Sequence, residues 1–314
     1  MTVAVVAPAV DVACVALFGL LGPRLLGSVR PDVATWALSA YSAVAAAAGT
    51  VVLTLLALPL LGHSDLLADR AHWSSAVLAR DGLAGQRVAL VALIALFVLV
   101  GHAFVEASRQ LRAFRAAERL AGRLGRSAGG LIVTPDPAVD AFALGGRAGL
   151  IVATEGLMKT LSPEQRRAVL AHERSHLDRH HHRHLLVVTL AAAVNPLLWR
   201  LPATTRYLVE RWADEDSARA TSRRVTAEAL AAVASRDERR RPVAVLAAAA
   251  SSVSRRLAML ERPAQHEGRR FWRLAPPGLL VIAAVVATVV ATDHVVDVFQ
   301  LAATAGRHVF PSRH

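Results

Sequence analysis

Cysteine and lysine are nearly missing from this chain of 314 residues. Cys14 is the only cysteine, so the chain can form neither an internal disulfide framework nor a cysteine-based zinc site. Lys159 is the only lysine among 36 basic residues, and arginine therefore supplies nearly all of the positive charge. These shortages exclude a disulfide-stabilised domain and leave an arginine-rich chain with a formal net charge of +12.

The sequence also lacks a nucleic-acid-binding motif, although a strong positive charge is one mark of such proteins. The arginines cluster beside apolar segments, where they more often set membrane topology than contact phosphate groups. We therefore expect no direct binding of nucleic acid. The contrary hypothesis, a basic membrane protein that binds nucleic acid, predicts salt-dependent DNA binding by the soluble part.

Long apolar segments are abundant. Hydrophobic residues make up 54% of the chain and the mean hydropathy is +0.41, which suits a multi-pass membrane protein better than a soluble domain. Transmembrane helices are predicted at about residues 3–21, 33–61, 88–105 and 277–291. The first carries Asp11, which we expect near the interface or against a neighbouring helix; a functional intramembrane carboxyl group is the alternative.

The segment Leu161–His184 contains the motif His172-Glu173-Arg174-Ser175-His176, of the form H-E-x-x-H. Residues four apart lie on one face of a helix, so both imidazoles can reach one metal ion with Glu173 beside them. Ser162, Pro163 and Gln165 supply an N-cap, a first-turn proline and a capping box. The sequence therefore predicts a helix that begins at Pro163 and continues without a break to His184.

A catalytic zinc ion needs a third protein ligand and an open position. Glu210 lies in the predicted helix Leu208–Asp214 and is the candidate third ligand; Asp214, one turn further on, can orient a ligand histidine by a hydrogen bond. We expect one zinc ion per chain. Zinc lowers the pKa of a bound water to about 7, and Glu173 would take its proton and pass it to the leaving amine.

Four more histidines follow the motif: His180, His181, His182 and His184. On the predicted continuous helix, His180 and His184 extend the same series and could bind a further metal ion. The alternative, which we prefer, is a solvated helix end near lipid headgroups. We leave all four out of the ligand set, because a catalytic zinc site keeps one position open.

The motif, the E-x-x-A-D segment that contains Glu210, and the upstream runs Asp140–Gly146 and Gly149–Leu157 together resemble the membrane-embedded gluzincin metallopeptidases. Both the HtpX and CAAX-protease type and the antirepressor type, named for the penicillin sensors BlaR and MecR, share this layout. The resemblance covers about residues 131–214. It implies a mainly α membrane protein with about four transmembrane helices and an α+β zincin-type peptidase domain with a small sheet.

Short strands are predicted at Leu131–Thr134, Val139–Ala143 and Leu150–Thr154. An edge of such a sheet can pair with an extended peptide by backbone hydrogen bonds. The resemblance assigns this substrate-binding role to the neighbourhood of Ala141, Phe142 and Ala143. The alternative is that these strands only cover the core.

Arginines predict the orientation. Arg24 and Arg30 lie in the first loop, and a row of arginines from Arg109 to Arg126 follows the third span. The positive-inside rule places both segments in the cytoplasm, so the active site would face the cytosol of a bacterial cell. The row itself is either a helix on the membrane surface or a helical linker.

The apolar segment Leu185–Leu201 is too short to cross the bilayer and return, since about 17 residues at 1.5 Å each span it barely once. If Glu210 is a ligand, this segment does not cross: it packs against the zinc helix or dips into the membrane. The HtpX type usually has a transmembrane hairpin here, which favours the antirepressor type. The predicted parts are a membrane region at 1–107, a cytosolic peptidase domain at 108–274, and a last helix with a short outer tail at 275–314.

These observations predict a membrane-bound zinc endopeptidase with a protein or peptide substrate, and with the lipid bilayer as its surroundings. By resemblance, the substrate is a cytosolic transcriptional repressor. The outer tail is too short for the penicillin-sensor domain of that type. The alternatives are a membrane quality-control protease of the HtpX type and, in another class, a signalling protein with a non-catalytic zinc site.

Overall fold

The computed structural model describes residues 2–62, 85–125, 128–145, 149–237, 243–262 and 271–309. Within them the chain is mainly helical, with one three-stranded sheet. Four helices are long and apolar enough to cross a membrane: α1 (Thr2–Leu26), α2 (Pro31–Ala57), α3 (Gln86–Leu124) and α10 (Ala275–Val309). The predicted fold class, a mainly α protein with four long apolar helices and an α+β part that contains a small sheet, is confirmed.

Two of the helices that contain predicted spans continue beyond the predicted ends. Charged residues interrupt the apolar run there, but they do not end the helix. The third span, predicted at 88–105, belongs to a helix that continues to Leu124. Its 39 residues extend about 58 Å, about twice the thickness of the hydrocarbon core. The arginine row up to Arg123 is therefore a helical linker that continues the span. The last span, predicted at 277–291, similarly continues through the predicted tail to Val309.

The membrane helices α1, α2 and α10 form one core with Phe18, Leu38 and Ala284 fully buried. Asp11 lies inside this bundle with 1% of its surface exposed, and one of its carboxylate oxygens accepts a hydrogen bond from Thr288 Oγ1 at 3.4 Å. It therefore lies against a neighbouring helix, one of the two positions that the sequence predicts for it.

A helical hairpin reaches into this bundle from the side of the peptidase domain. It consists of α6 (His181–Val194), a short 3-10 turn (Pro196–Leu198) and α7 (Leu201–Ala220). Its tip closely contacts glycines of two membrane helices: a Cβ atom at Gly19 would lie 2.1 Å from the Leu197 carbonyl oxygen, and one at Gly49 would lie 2.7 Å from Asn195 Nδ2. Residues 185–201 thus enter the bundle and return, as the argument from length requires.

The turn at the hairpin tip packs against protein through Asn195 and Leu198, and irregular backbone at membrane depth needs such contacts. Asn195 is buried, and its side chain accepts a hydrogen bond from the Leu197 amide at 3.2 Å. His102 of α3 donates to the Ala193 carbonyl at 3.2 Å. Side chains therefore satisfy backbone groups that a regular helix would have paired internally.

The sheet has the order β1 (Leu131–Thr134), β3 (Leu150–Thr154), β2 (Ala141–Leu144). β3 is parallel to β1 and antiparallel to β2, so β2 is an edge strand. β2 begins at Ala141, two residues later than the predicted Val139. The C-terminal end of α3 packs on the sheet through Ala121, which contacts the cluster that contains Leu144 and Val152.

After the short helix α4 (Glu155–Thr160), the motif helix α5 (Pro163–Asp178) begins as predicted. Both hydrogen bonds of the capping box between Ser162 and Gln165 are present. The predicted continuation to His184 is wrong. The chain turns at His180, whose φ of +51° is left-handed, a conformation that histidine adopts more readily than most residues, and a new helix begins at His181. The turn lets α5 pack on α7 while the apolar part of α6 enters the membrane bundle.

The peptidase part is completed by α8 (Arg223–Asp237) and α9 (Val243–Leu260). α8 packs on α5 through the cluster of Ala168, Val225 and Ala229. Ser217 of α7 donates a hydrogen bond to the Ala168 carbonyl at 2.8 Å, which ties α7 to α5. These contacts fix the relative position of the two helices that carry the predicted metal ligands.

Candidate metal centre and active-site cleft

The structure brings together the three residues that the sequence predicts as zinc ligands. His172 and His176 lie one turn apart on α5, and their Nε2 atoms are 3.2 Å apart. Glu210 of α7 faces them, with one carboxylate oxygen 3.5 Å from His172 Nε2 and the other 3.6 Å from His176 Nε2. Two nitrogen ligands and a carboxylate therefore converge on one point.

These distances can be compared with the geometry of bound zinc. Zinc bonds to histidine and carboxylate ligands are about 2.0–2.2 Å long, so two ligands of a tetrahedral site lie roughly 3.3–3.5 Å apart. The three observed separations of 3.2, 3.5 and 3.6 Å are close to this value. The side chains of His172, His176 and Glu210 are 15%, 20% and 31% exposed, so one side of the centre is open. The residues fit a zinc ion with a free coordination position.

A charged network holds His172. Its Nδ1 lies 3.1 Å from a carboxylate oxygen of Asp214, which is buried. Arg256 of α9 donates two hydrogen bonds of 2.7 Å to the same carboxylate and lies 3.0 Å from Glu210. Asp214 thus takes the orienting position that the sequence predicts for it. Because the Nδ1 proton is directed to Asp214, the Nε2 of a neutral His172 presents its lone pair to the ligand cluster.

Arg256 was not singled out by sequence reasoning. It lies in the segment Val253–Leu260 next to Arg255, and no spacing distinguishes these two arginines from the many others of the chain. The fold of α9 over α7 decides which arginine meets Asp214.

The charges of this network favour a bound cation. Burial opposes the charged form of His172, but the hydrogen bonds of Asp214 and Glu210 outweigh it and raise the pKa of His172 to about 10. Burial likewise opposes the ionised form of Glu210, but its bond with His172 and the charge of Arg256 lower the pKa of Glu210 to about 2. The same two partners, Arg256 foremost, hold the pKa of Asp214 well below its usual range against the effect of burial. Two ionised carboxylates therefore surround His172, and zinc would displace the proton that they retain there.

On the side of the ring turned away from Glu210, His176 contacts an uncharged group. Its Nδ1 lies 2.9 Å from Nδ1 of His181, the first residue of α6, which is 1% exposed. Burial lowers the pKa of His176 to about 4 and that of His181 to about 3, so both rings stay uncharged. Trp212 of α7 packs against His181 with the ring centres 4.9 Å apart.

The four histidines from His180 to His184 therefore differ in burial, which the sequence did not predict. His180 and His182 are exposed, as expected for a solvated helix end, whereas His181 and His184 are buried. The turn at His180 causes the division, because it starts α6 on a new face. The sequence contains no glycine or proline signal for this turn.

Glu173 lies at the edge of the cleft beside the ligand cluster. Burial raises the pKa of its carboxyl group to about 7, although the charge of His172 and a hydrogen bond from the Ala143 amide oppose this rise. A carboxyl group with this pKa exchanges protons readily near neutral pH. The proton transfer that the motif predicts for Glu173 stays a prediction, and this pKa suits it.

The cleft is a cavity of about 190 Å³. Its lining includes the polar residues His172, Glu210 and Arg256. It also includes apolar side chains: Val169, Ala229, Leu230 and Val233. Such a pocket has room for an aliphatic side chain beside the metal centre.

The edge strand β2 borders this cleft. Asp140 accepts a hydrogen bond from the Thr154 amide, so even-numbered residues of β2 pair with β3. The backbone groups of Ala141 and Ala143 therefore point to the free edge. The Ala143 amide contacts Glu173 there, and Ala141 lines the cavity. Phe142 is 38% exposed.

The profile of peptidase family M48 matches residues 107–263, which is half of the chain. The chain belongs to peptidase family M48. The matched residues run from the linker part of α3 to just past α9 and include every residue of the cleft. The M48 domain is that of a metallopeptidase. No curated protein and no solved structure matches the chain.

Proposed function

We propose that this M48 protein is a membrane-embedded, zinc-dependent endopeptidase. The observation that carries the proposal is the convergence of His172, His176 and Glu210 at the spacing of zinc ligands, with Glu173 beside them in an open cleft. A bound zinc ion would supply Lewis-acid chemistry, polarising the scissile carbonyl group and lowering the pKa of a water molecule.

Glu173 is the general base. With a pKa raised to about 7 by burial, its carboxylate accepts a proton from the attacking water and then passes it to the leaving amine. Asp214 and Arg256 keep His172 in one orientation.

The substrate binds as an extended peptide along the free edge of β2. The backbone groups of Ala141 and the carbonyl group of Ala143 point to this edge, whereas the Ala143 amide contacts Glu173. The cavity, with its apolar side chains, receives an aliphatic side chain of the substrate. A hydrogen-bonded strand next to Glu173 places a peptide bond within reach of the general base.

We place the cleft on the cytosolic side of a bacterial cell membrane, in a peptidase domain of residues 108–274. Arg211 of α7 donates a hydrogen bond to the Gly27 carbonyl, so the first loop lies on the same side as the metal centre. Arg24 and Arg30 flank this loop, and α3 leaves the bundle on that side with its arginine row. The positive-inside rule makes this side cytosolic.

Two biological roles fit this arrangement, and each has one observation in its favour. The hairpin of α6 and α7 does not cross the membrane, which favours the antirepressor type and cleavage of a transcriptional repressor. The same hairpin reaches into the bundle, which favours the quality-control type. Capture of substrates by a Glu173→Gln variant in cells separates the two, since the first role predicts one soluble DNA-binding protein and the second predicts many membrane proteins.

The Glu173→Gln variant also tests the chemistry. We expect it to lose peptide hydrolysis by about 10²–10⁴-fold while it retains one zinc ion per chain, because general-base catalysis contributes this much and Glu173 is not a ligand. Glu164→Gln, the same change at an exposed position of α5, should behave as the wild type. Zinc content is measured by elemental analysis and hydrolysis with fluorogenic peptides.

Undiminished hydrolysis by Glu173→Gln would contradict the mechanism. A wild type that binds zinc but cleaves no peptide or candidate substrate would instead support the non-catalytic signalling protein.

A further inference from the structure

We infer that His181 is a positioning residue for the metal centre: its Nδ1 accepts the Nδ1 proton of His176 and so fixes the ring form in which His176 presents Nε2 to zinc. The inference rests on the proposed zinc site. It assigns a role to a buried histidine that supplies no ligand atom, and it connects the centre to the membrane bundle.

The position of the proton on His176 decides whether this ring can bind a metal ion through Nε2. A neutral imidazole carries one proton, and a ring that binds a metal through Nε2 must carry it on Nδ1. The Nδ1 of His176 lies 2.9 Å from Nδ1 of His181, a hydrogen-bond distance. Two nitrogens at this distance need one donor and one acceptor, so zinc binding at His176 makes His181 the acceptor.

The opposite arrangement prevents metal binding. If His181 donated from Nδ1, His176 would have to carry its own proton on Nε2, the atom that faces His172 and Glu210 at 3.2 and 3.6 Å. A protonated Nε2 has no lone pair for a metal ion. The shared hydrogen bond therefore links the state of His181 directly to the availability of the ligand atom.

The Nε2 of His181 is buried and has no hydrogen-bond partner among the described residues. When His181 acts as the acceptor, this unpaired nitrogen is the one that carries its proton. A buried donor without a partner costs free energy, so a role in packing alone does not explain a histidine at this position. Its hydrogen bond to His176 does.

The position of His181 is set by a membrane helix. Three residues further along α6, His184 lies 3.0 Å from Ser39 Oγ of α2. Ser39 donates its own hydroxyl proton to the Thr35 carbonyl, so His184 is the donor in this contact. The Trp36 ring packs edge-on against His184 with the ring centres 4.5 Å apart. The first turn of α6 is thus fixed on α2, and His181 is held against His176 from the membrane side.

Substitutions at His181 separate positioning from packing. Asparagine places its side-chain oxygen where histidine has Nδ1, so His181→Asn retains an acceptor, whereas His181→Leu retains only the volume. Zinc affinity of the full-length protein in detergent is measured by competition with a chromogenic chelator. The melting temperature of the zinc-free protein is measured in parallel, and His182→Leu, at the exposed neighbour, is the control.

We expect His181→Leu to weaken zinc binding by about 10–100-fold, the usual effect of removing a hydrogen-bond partner of a ligand histidine. His181→Asn should restore most of the affinity. The zinc-free His181→Leu protein should melt no lower than the wild type, because the change removes an unpaired buried nitrogen.

Three outcomes would overturn the inference. Wild-type affinity in His181→Leu would show that His176 needs no acceptor, and the proposed function would stand. Equal loss of affinity in both variants, with a lower melting temperature without zinc, would make His181 a packing residue. A wild type that binds no zinc would overturn this inference and the proposed function together.

Discussion

The two histidines of the motif are held from opposite sides by different chemistry. His172 contacts a charged network, the carboxylate of Asp214 and through it Arg256, all within the M48 domain. His176 contacts a neutral imidazole, His181, at the start of a hairpin that enters the membrane bundle. His172 is thus held through α7 and α9, and His176 through α6, whose apolar part enters the membrane bundle.

The difference has a physical reason. A buried carboxylate needs a buried cation, and Arg256 from α9 supplies it next to Asp214. A second carboxylate behind His176 would need a second cation close to the apolar bundle, where charges are costly. A neutral acceptor orients the ring without this requirement.

Substitution of Glu210, which faces both motif histidines, should have the largest effect on zinc affinity. Glu210→Gln removes the negative charge that faces both Nε2 atoms, so zinc binding should weaken by more than the roughly 10–100-fold that loss of an outer partner costs. Chelator competition measures the affinity. Glu215→Gln on the same helix, whose partner is Arg223, should retain wild-type affinity. Zinc bound equally well by Glu210→Gln would place the third ligand elsewhere.

The Asp214→Asn variant removes the charged contact behind His172 and leaves the contact between His176 and His181 intact. The amide cannot replace the carboxylate that orients His172, and Arg256 loses its partner, so we expect about 10–100-fold weaker zinc binding. Asp216→Asn is the matched control, since Asp216 contacts Ser175 and Arg179 and no ligand residue. An equal effect of the two changes would mean that net charge, and not contact with His172, determines affinity.

A smaller effect is expected on the pH dependence of folding stability in the zinc-free protein, where His172 and the pair of His176 and His181 act in opposite directions. His176 and His181 have a pKa lowered to about 4 and about 3 by burial, so only the unfolded chain binds these protons below pH about 6.5, and stability falls as the pH drops towards 4. The pKa of His172 is raised to about 10, so its contribution is complete below pH about 6.5 and is lost as the pH rises to 10.

From these pKa values, we expect the melting temperature of the zinc-free protein to be highest near pH about 6.5. The measurement is made in the Glu173→Gln variant. In the wild type, the raised pKa of Glu173 stabilises the folded state at low pH, and this stability is lost as the pH rises from about 4.3 to 7, so it would hide the loss of stability that the two histidines cause on acidification. In that background, His181→Leu should reduce the slope only below the maximum, and Asp214→Asn only above it. The same effect of both changes on both slopes would show that the two sides are not separate.

Local patterns predicted the parts of the site that lie on single helices. The spacing of His172 and His176, the capping box at Ser162, and the four-residue step from Glu210 to Asp214 are all set by helical periodicity. The edge strand around Ala141–Ala143 followed from the pattern of short apolar runs, although its start was predicted two residues early. The bundle could also be predicted, because a span requires a long apolar run.

Other parts could not be predicted from local patterns. The turn at His180 occurs without glycine or proline, and it decides that His181 is buried while His182 is exposed. Nothing in the local sequence distinguishes Arg256 from the other arginines, and only the packing of α9 against α7 brings it to Asp214. The helices α3 and α10 continue beyond their apolar runs, since a helix satisfies its own backbone hydrogen bonds in water as well as in lipid.

The sequence by itself determined that the long apolar helices exist, where the motif helix begins, and that the chain is of a metallopeptidase type, because each depends on a periodicity or on residue type. Only the tertiary structure decided what fixes the groups that lie behind the two motif histidines. Those contacts join residues 42 and 145 positions apart, Arg256 with Asp214 and His184 with Ser39, and no local pattern encodes packing over such distances.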